Sequence, residues 1–200
     1  MTTIVVGGHS RKVGKTSVAA GIIAAFPRCS WTAVKITSHL HGELPESSAC
    51  RIQEETDRAG HSDTSRFLAA GAARALWVRA RGSGYGQAVR ELLAAIQSDP
   101  FVIIESNRIL QFIRPDLYLL VLRYGVEEFK DSARETLLQA HAIVAVKDDA
   151  ARADWKGIEL PDGVPVFEVH DLTSLPKDLI DWLSSHVSFP VSRSPFPVGR

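Results

Sequence analysis

The sequence has no excess of positive or negative charge, few cysteines and no long apolar run. Its 200 residues carry 23 basic and 23 acidic side chains, and this balance gives no reason to expect a nucleic-acid partner. Two cysteines are too few for a disulfide framework, so we expect a reducing, cytoplasmic compartment. No apolar run approaches the roughly 20 residues that span a membrane, and no signal-peptide pattern precedes the first predicted strand, so we expect no membrane partner.

The length and the hydrophobic content are those of one α/β domain with a sizeable core. Hydrophobic residues make up 45% of the chain and charged residues 23%, as in ordinary globular proteins. We expect this domain to extend over residues 1–187. Three prolines, Pro190, Pro195 and Pro197, lie in the remaining residues 188–200. We expect that segment to be an irregular tail, or else to lie across a partner subunit.

Strand-like apolar runs alternate with helix-like runs along most of the chain. This alternation predicts a three-layer α/β fold, in which a mostly parallel sheet has helices on both faces. Residues 65–73 and 132–140 are two of the predicted helices, the first with Asp63 as its N-cap. Residues 40–62 have a poor pattern, with glycine, proline and a charged run. That stretch predicts a long functional loop with room for one short helix.

A glycine-rich loop follows the first strand-like run and precedes a helix-like run. This context suits phosphate binding, because backbone N–H groups and the helix N-terminus converge on the phosphate oxygens. Lys15 would reach the outer phosphates, and the Thr16 hydroxyl would hold Mg²⁺. The spacing Gly8-x5-Gly14-Lys15-Thr16 is one residue longer than that of the standard P-loop, and a plain glycine turn before a helix is the alternative. The predicted phosphate-binding residues are Gly8, His9, Ser10, Arg11, Lys12, Val13, Gly14, Lys15, Thr16 and Ser17.

Three charged residues lie where a nucleotide site requires them. Glu105 ends a continuous apolar strand, which is the position of an acid that holds Mg²⁺ or orients a nucleophile. Lys35 lies near the end of the second predicted strand, at the same carboxyl edge of the sheet. Each also has a structural alternative: a solvated strand end for Glu105, a surface lysine for Lys35 and a simple helix cap for Asp63. We predict Thr16, Asp63 and Glu105 as Mg²⁺ ligands, Lys15, Asp63 and Glu105 as catalytic residues, and Lys35 as a nucleotide-binding residue.

A charged turn after a late strand, Lys147-Asp148-Asp149, is a degenerate match to the guanine-binding pattern Asn/Thr-Lys-x-Asp. A carboxylate there would accept two N–H groups from guanine and so select it over adenine. We predict Lys147 and Asp149 as base-binding residues, with Asp148 as the second choice for the acid. A plain charged loop is the alternative reading of the pattern.

Histidines and one cysteine cluster in sequence around the predicted long loop. The ligand types would suit zinc, but the spacing matches no standard structural site. Histidines of a loop that binds an anion are therefore favoured over a metal centre. The residues in question are His39, His41, Cys50 and His61.

Two families of P-loop proteins resemble this chain. The elongated loop, Lys35 and Asp63-Thr64 resemble dethiobiotin synthetase, which implies an ATP-dependent ligase that activates a carboxylate or carbamate. The segment DTSRFLAAGA at residues 63–72 resembles the MobB proteins of molybdopterin guanine dinucleotide synthesis. Both families have a glycine after the strand-end Glu. Here Glu105 is followed by Ser106 and Asn107. The missing glycine argues against a close contact between the backbone of that turn and a substrate.

The likeness to MobB extends over about residues 3–183 and implies a P-loop NTPase fold. It also implies binding of GTP with Mg²⁺, slow hydrolysis, a homodimer, and assistance to a partner enzyme that attaches a guanine nucleotide to molybdopterin. ATP in place of GTP remains open. A third possibility is a nucleotide-binding regulatory or assembly module without catalytic turnover.

Overall fold

The computed structural model describes residues 1–37, 49–148 and 155–190. Its described residues form one eight-stranded sheet and five α-helices. The strands are β1 (Thr2–Gly8), β2 (Trp31–Thr37), β3 (Cys50–Glu54), β4 (Arg74–Ala80), β5 (Phe101–Glu105), β6 (Leu117–Arg123), β7 (Ala142–Val146) and β8 (Val166–Val169). The helices are α1 (Lys15–Ala25), α2 (Asp63–Ala69), α3 (Tyr85–Ile96), α4 (Asp131–Arg134) and α5 (Lys177–His186).

The strand order is β3-β4-β2-β5-β1-β6-β7-β8. All neighbouring strands are parallel except β3, which pairs antiparallel with β4 at one edge. The first strand therefore lies near the middle, between β5 and β6. Because parallel strands present their carboxyl ends at the same edge, the ends of β1, β2, β5 and β6 meet there.

Helices cover both faces of the sheet, which confirms the predicted three-layer α/β class. Alternate residues of β1 point to opposite faces, Ile4 and Val6 into one core and Val5 into the other. The core that contains Ile4 and Val6 lies under α1, α2 and α5, and the core that contains Val5 lies under α3 and α4. All three side chains are fully buried.

The predicted long loop at residues 40–62 contains a strand that the sequence pattern did not reveal. Residues Cys50–Glu54 form β3, in which Ile52 pairs with Val78 of β4. The strand lies at the sheet edge and most of its residues are exposed, so apolar residues are few and the period of two is weak. Residues 38–48, also part of the predicted loop, lie outside the described residues.

Two predicted helices have different limits in the structure. The N-cap of α2 is Ser62 rather than Asp63: the Ser62 side chain accepts a hydrogen bond from the Ser65 backbone, and the Ser65 side chain accepts one from the Ser62 backbone. Asp63 is thus the first helical residue. The helix predicted over residues 132–140 is shorter, since α4 ends at Arg134 and a separate 3₁₀ turn follows at Leu137–Gln139.

The described part of the predicted tail is attached to the domain. Phe189 stacks on Phe26 with ring centroids 3.8 Å apart, and it also contacts Trp31 and Phe101. Residues 191–200 lie outside the described residues. Among the described residues, no helix combines the length and the apolar character that a bilayer crossing requires.

Candidate functional site

A cavity of about 600 Å³ opens at the carboxyl edge of the sheet. The end of β2 and the segments after β1, β5 and β6 line it, together with the start of α2 and the start of α3. Eight of its lining side chains are basic and two are acidic, although the whole chain is neutral. The basic ones are Arg11, Lys12, Lys15, Lys35, Arg66, Arg108, Arg123 and Lys130, and the acidic ones are Asp63 and Glu105. Such a concentration of positive charge favours a strongly anionic ligand.

Three glycines allow the loop between β1 and α1 to fold as it does. A Cβ atom on Gly8 would lie 2.8 Å from the Val13 side chain and 2.9 Å from the methylene carbons of Lys15, which cross directly over it. Gly14 has a φ of 107°, a left-handed conformation that side chains disfavour. A Cβ on Gly7 would lie 2.4 Å from the Asn107 side-chain oxygen. The glycines are therefore required by close packing of the loop.

Lys15 is poised over the loop without an acidic partner at hydrogen-bonding distance among the described residues. Its Nζ donates to the Ser10 carbonyl oxygen at 2.6 Å. Burial lowers the pKa of Lys15 to about 8, and the positive charges of Lys35 and Lys130 also lower it, while Glu105 and Asp63 act in the opposite direction. An anion placed next to this ammonium group would restore its charged form.

The structure brings together Thr16, Lys35, Asp63 and Glu105, from four different elements. The Thr16 hydroxyl donates to Glu105 Oε2 at 2.7 Å, and a hydrogen bond from Thr16 is also among the influences that lower the pKa of Asp63. Lys35 Nζ lies 2.8 Å from Glu105 Oε1 and 2.5 Å from Asp63 Oδ2. Glu105 is only 5% exposed, so its charge depends on these partners. We call this group of four the β5 flank of the cavity.

The pKa values of Lys35 and Asp63 follow from this arrangement. Burial acts to lower the pKa of Lys35, but the carboxylates of Glu105 and Asp63 outweigh it and raise that pKa above its ordinary value. Burial acts to raise the pKa of Asp63, but the hydrogen bond and charge of Lys35 outweigh it and lower that pKa. The Lys35–Asp63 pair is therefore fully ionised at neutral pH.

Asn107 takes part in the site in a way that sequence reasoning missed. Its side chain accepts a hydrogen bond from the Gly8 N–H at 2.7 Å and donates to the Gly8 carbonyl at 2.9 Å. It thereby ties the turn after β5 to the start of the loop. The sequence lacks the glycine that dethiobiotin synthetase and the MobB proteins have after Glu, and this was the available signal, because a side chain in this turn occupies space next to Gly7.

The side chain of His9 does not reach the cavity. It is fully buried against Phe129 and Trp155, and its Nε2 accepts a hydrogen bond from the Arg123 backbone at 3.1 Å. Its own backbone N–H donates to the Val121 carbonyl. Burial lowers the pKa of His9 to about 4, so the ring is neutral at physiological pH. This residue anchors the loop to β6.

The remaining loop residues divide between cavity and core. Ser10, Arg11, Lys12 and Ser17 line the cavity, whereas Val13 is fully buried. The Ser10 hydroxyl donates to Glu128, and the Ser17 hydroxyl accepts from Arg66 at 2.9 Å. The lining residues that sequence reasoning did not single out include Arg66, Tyr85, Arg108, Arg123 and Lys130. Arg66, Tyr85 and Arg123 lie in α2, α3 and β6, and none of the five matches a pattern for phosphate or metal binding by its own spacing.

The predicted base-binding turn lies on the opposite side of the cavity from Lys35. Lys147 pairs with Glu168 at 2.6 Å, and Asp148 accepts from Arg123, a cavity residue, at 3.0 Å. Neither Lys147 nor Asp148 lines the cavity, and Asp149 lies outside the described residues. We call Arg123, Lys147 and Asp148 the β7 flank.

The predicted histidine and cysteine positions are separated. Cys50 contacts Glu91, His61 pairs with Asp57 at 3.5 Å, and His39 and His41 lie outside the described residues. Over residues 1–37, 49–148 and 155–190, no group of three or more histidine, cysteine or acidic side chains is arranged to hold a metal by itself. A cation at the β5 flank would need oxygen ligands from a bound molecule as well.

Among solved structures, LpxK from Aquifex aeolicus in complex with ATP is similar to this chain, with a TM-score of 0.53 and 16% identity over 84% of this chain and 53% of LpxK. The chain thus spans about half the length of LpxK. It has the fold of the P-loop NTPases, as the loop and its context predicted.

A MobB homologue from Bacillus stearothermophilus has a TM-score of 0.45, with 20% identity over 92% of this chain and 97% of that protein. HypB from Helicobacter pylori, in complex with nickel, has a TM-score of 0.49, with 16% identity over 92% of this chain and 86% of HypB. No protein-family model and no curated protein matches the sequence.

Proposed function

We propose that the cavity binds a purine nucleoside triphosphate together with Mg²⁺ and hydrolyses it slowly. The observation that carries this proposal is the convergence of the Thr16 hydroxyl and the Asp63 and Glu105 carboxylates beside Lys15. These oxygen donors are of the kind that Mg²⁺ prefers. The Lys35 ammonium group lies between the two carboxylates, which supports a preference of this position for a cation. Mg²⁺ would offset charge on the terminal phosphates and polarise them.

The other residues have roles that follow from their positions. Lys15 would exchange the Ser10 carbonyl for a phosphate oxygen, which returns a strong charge-assisted hydrogen bond. Lys35 would move from the carboxylates towards the terminal phosphate when Mg²⁺ takes its place. Asn107 holds Gly8 fixed, so the loop presents its backbone in one conformation. The buried His9 fixes the same loop to β6.

GTP is the preferred nucleotide in this proposal, as in the MobB proteins. Support comes from the Lys147-x-Asp149 sequence after β7 and from the MobB-like segment at residues 63–72. With Mg²⁺ between the outer phosphates and the β5 flank, the base would extend toward β6 and β7, on the side of the cavity where Lys147 lies. The accessory role in molybdopterin guanine dinucleotide synthesis, the nucleotidyltransferase partner and the homodimer belong to the same proposal. A cytoplasmic location is supported by two free cysteines.

An ATP-dependent ligase similar to dethiobiotin synthetase is the second candidate. The elongated spacing Gly8-x5-Gly14-Lys15-Thr16 and the pair Asp63-Thr64 favour it, since both belong to that resemblance. The two candidates differ in the base they select and in their need for a second substrate. A nucleotide-binding module without turnover is separated from both by measurable release of phosphate.

The test is calorimetric titration of the whole chain with GTP and with ATP, each with Mg²⁺. We expect GTP to bind at least about tenfold more tightly, because adenine leaves a carboxylate acceptor without its partners at a cost of about 1–3 kcal/mol. Lys15→Ala should abolish binding of both nucleotides, whereas Lys156→Ala, at an exposed lysine outside the cavity, should not change it.

Asp149→Asn should weaken the binding of GTP and narrow the difference in affinity between GTP and ATP. Tighter binding of ATP by the wild type would remove the guanine assignment and favour the ligase. Unchanged nucleotide affinity in Lys15→Ala would remove the phosphate-binding role of the loop and with it the proposed function.

A further inference from the structure

The cavity continues past the β5 flank to a region that a nucleotide leaves open. Tyr85, Ser106 and Arg108 line this region, with Ile36 and Thr37 on the β2 side. Ser106 directly follows Glu105, so the region adjoins the cluster formed by Thr16, Lys35, Asp63 and Glu105. The nucleotide base would extend in the opposite direction, toward β7. The region therefore lies beyond the terminal phosphate.

Arg108 is the residue in this region whose charge is not accounted for. It is half-buried, and within the described part of the chain it has no carboxylate partner. Its guanidinium carbon lies 4.4 Å from the centre of the Tyr85 ring, a cation–π contact that orients it. Arginines that are removed from water are normally paired, so a half-buried guanidinium facing a cavity is a site for an anion.

The surface that holds Arg108 is rigid. Tyr85 is 1% exposed, and its hydroxyl shares a 3.0 Å hydrogen bond with the Ser106 hydroxyl. Ser106 also accepts from the Ile109 backbone at 3.4 Å, which fixes the short 3₁₀ turn that contains Arg108. A guanidinium group held in this way can present two parallel N–H groups to an oxyanion, and such pairing requires little further ordering.

The charge balance of the cavity points the same way. Its lining has eight basic and two acidic side chains. Mg²⁺ cancels part of the charge of a triphosphate, so a bound Mg-nucleotide leaves much of this positive charge uncompensated. A second anion would compensate part of the remainder.

We propose that Arg108 and the pocket around Tyr85 and Ser106 bind a second substrate through its carboxylate or phosphate group, next to the terminal phosphate of the nucleotide. This inference rests on the proposed nucleotide function. It makes Arg108 a specificity-determining residue for the co-substrate. The nucleotide itself does not require it.

The test uses the full chain saturated with Mg²⁺ and a non-hydrolysable GTP analogue, so that the terminal-phosphate position is filled. Inorganic phosphate and malonate are then titrated separately by calorimetry, the first as a phosphate probe and the second as a carboxylate probe. We expect at least one to bind to the wild type. Arg108→Met keeps apolar contact with Tyr85 and removes the charge. It should lower the affinity for that probe by about tenfold or more.

Arg108→Lys should lose part of the affinity, because a lysine retains the charge and lacks the two-pronged geometry. Arg90→Met, at an exposed arginine of α3 outside the cavity, should behave as the wild type. The affinity for the nucleotide analogue should stay within about twofold in all three variants.

Three results would overturn the inference: neither probe binds, the bound probe is unaffected by Arg108→Met, or Arg108→Met loses nucleotide affinity. The last would place Arg108 on the triphosphate instead. Failure of the wild type to bind the nucleotide analogue would contradict the proposed function itself, and the two failures are therefore distinct.

Discussion

The β5 and β7 flanks of the cavity pair their charges in different surroundings. On the β5 flank, Glu105 is 5% exposed and its partners Thr16 and Lys35 come from distant parts of the chain. On the β7 flank, Arg123 and Asp148 are 35% and 30% exposed. Breaking a buried pair costs about 3–5 kcal/mol, whereas exposed pairs contribute about 0–1 kcal/mol. Glu105 is thus held in one geometry by Thr16 and Lys35 in the ligand-free protein, whereas Asp63, whose side chain is 44% exposed, and the β7 flank can exchange partners at little cost.

This difference suits two tasks. Metal and phosphate chemistry needs ligands fixed in position before the substrate arrives, which the buried network provides. Recognition of a base can use side chains that reorganise when the ligand binds.

The largest effect is expected from Lys35→Met. Loss of the ammonium group leaves the Asp63 and Glu105 carboxylates facing each other without a counter-ion. In the absence of metal, this should lower the free energy of unfolding by about 3 kcal/mol. It should also raise the affinity of the nucleotide-free protein for Mn²⁺ by about tenfold or more, because the divalent cation replaces the lysine. Electron paramagnetic resonance of free Mn²⁺ measures the second effect.

Thermal unfolding with and without MgCl₂ provides the matching stability measurement. Mg²⁺ should raise the melting temperature of Lys35→Met and leave that of the wild type nearly unchanged. Lys177→Met is the control, since it breaks an exposed ion pair with Asp181 outside the cavity. If Lys35→Met binds Mn²⁺ no better than the control, the two carboxylates do not form a cation site.

Proton uptake on nucleotide binding is the smaller predicted effect. The pKa of Lys15 is about 8 in the ligand-free protein, so about half of the molecules carry a neutral Lys15 at pH 8. A bound triphosphate raises that pKa, and the neutral fraction must then take up a proton. Binding should therefore consume on the order of half a proton at pH 8 and, from this group, almost none at pH 6.

Calorimetry in buffers of different ionisation enthalpy measures this uptake. Lys130→Met is the control, because burial also lowers the pKa of Lys130, which lies in the same cavity. Uptake at pH 8 should persist in that variant in reduced amount, because loss of the Lys130 charge removes one of the influences that lower the pKa of Lys15. Its disappearance would assign the proton to Lys130, and equal uptake at pH 6 and pH 8 would contradict the role of Lys15.

The sheet and the β5 flank could be predicted because their signals are local. The apolar run of β5 and the glycine-rich loop each have a pattern that only a few structures satisfy, and parallel strands bring their carboxyl ends together. Residues Cys50–Glu54 gave no such signal, since an exposed edge strand buries too few apolar side chains. The N-cap of α2 moved to Ser62 because two adjacent residues, Ser62 and Asp63, can both cap a helix.

Tertiary contacts determine the positions of site residues that sequence motifs do not define. His9 occupies a loop position that predicts phosphate binding, yet the aromatic pocket of Phe129 and Trp155 takes its side chain. Asn107 and Arg108 belong to no motif, and their positions depend on how the turn after β5 packs against Gly7 and Tyr85. Such contacts join residues far apart in sequence, so spacing alone does not reveal them.

The central claim is that Thr16, Asp63 and Glu105 hold one metal ion together with the nucleotide. The most direct test is electron paramagnetic resonance of Mn²⁺ titrated into the protein with saturating GTP. The wild type should bind one Mn²⁺ tightly. Asp63→Asn and Glu105→Gln should each lower the affinity for Mn²⁺ by about tenfold or more. Glu168→Gln, outside the cavity, should leave that affinity unchanged. Wild-type affinity for Mn²⁺ in both Asp63→Asn and Glu105→Gln would contradict the account.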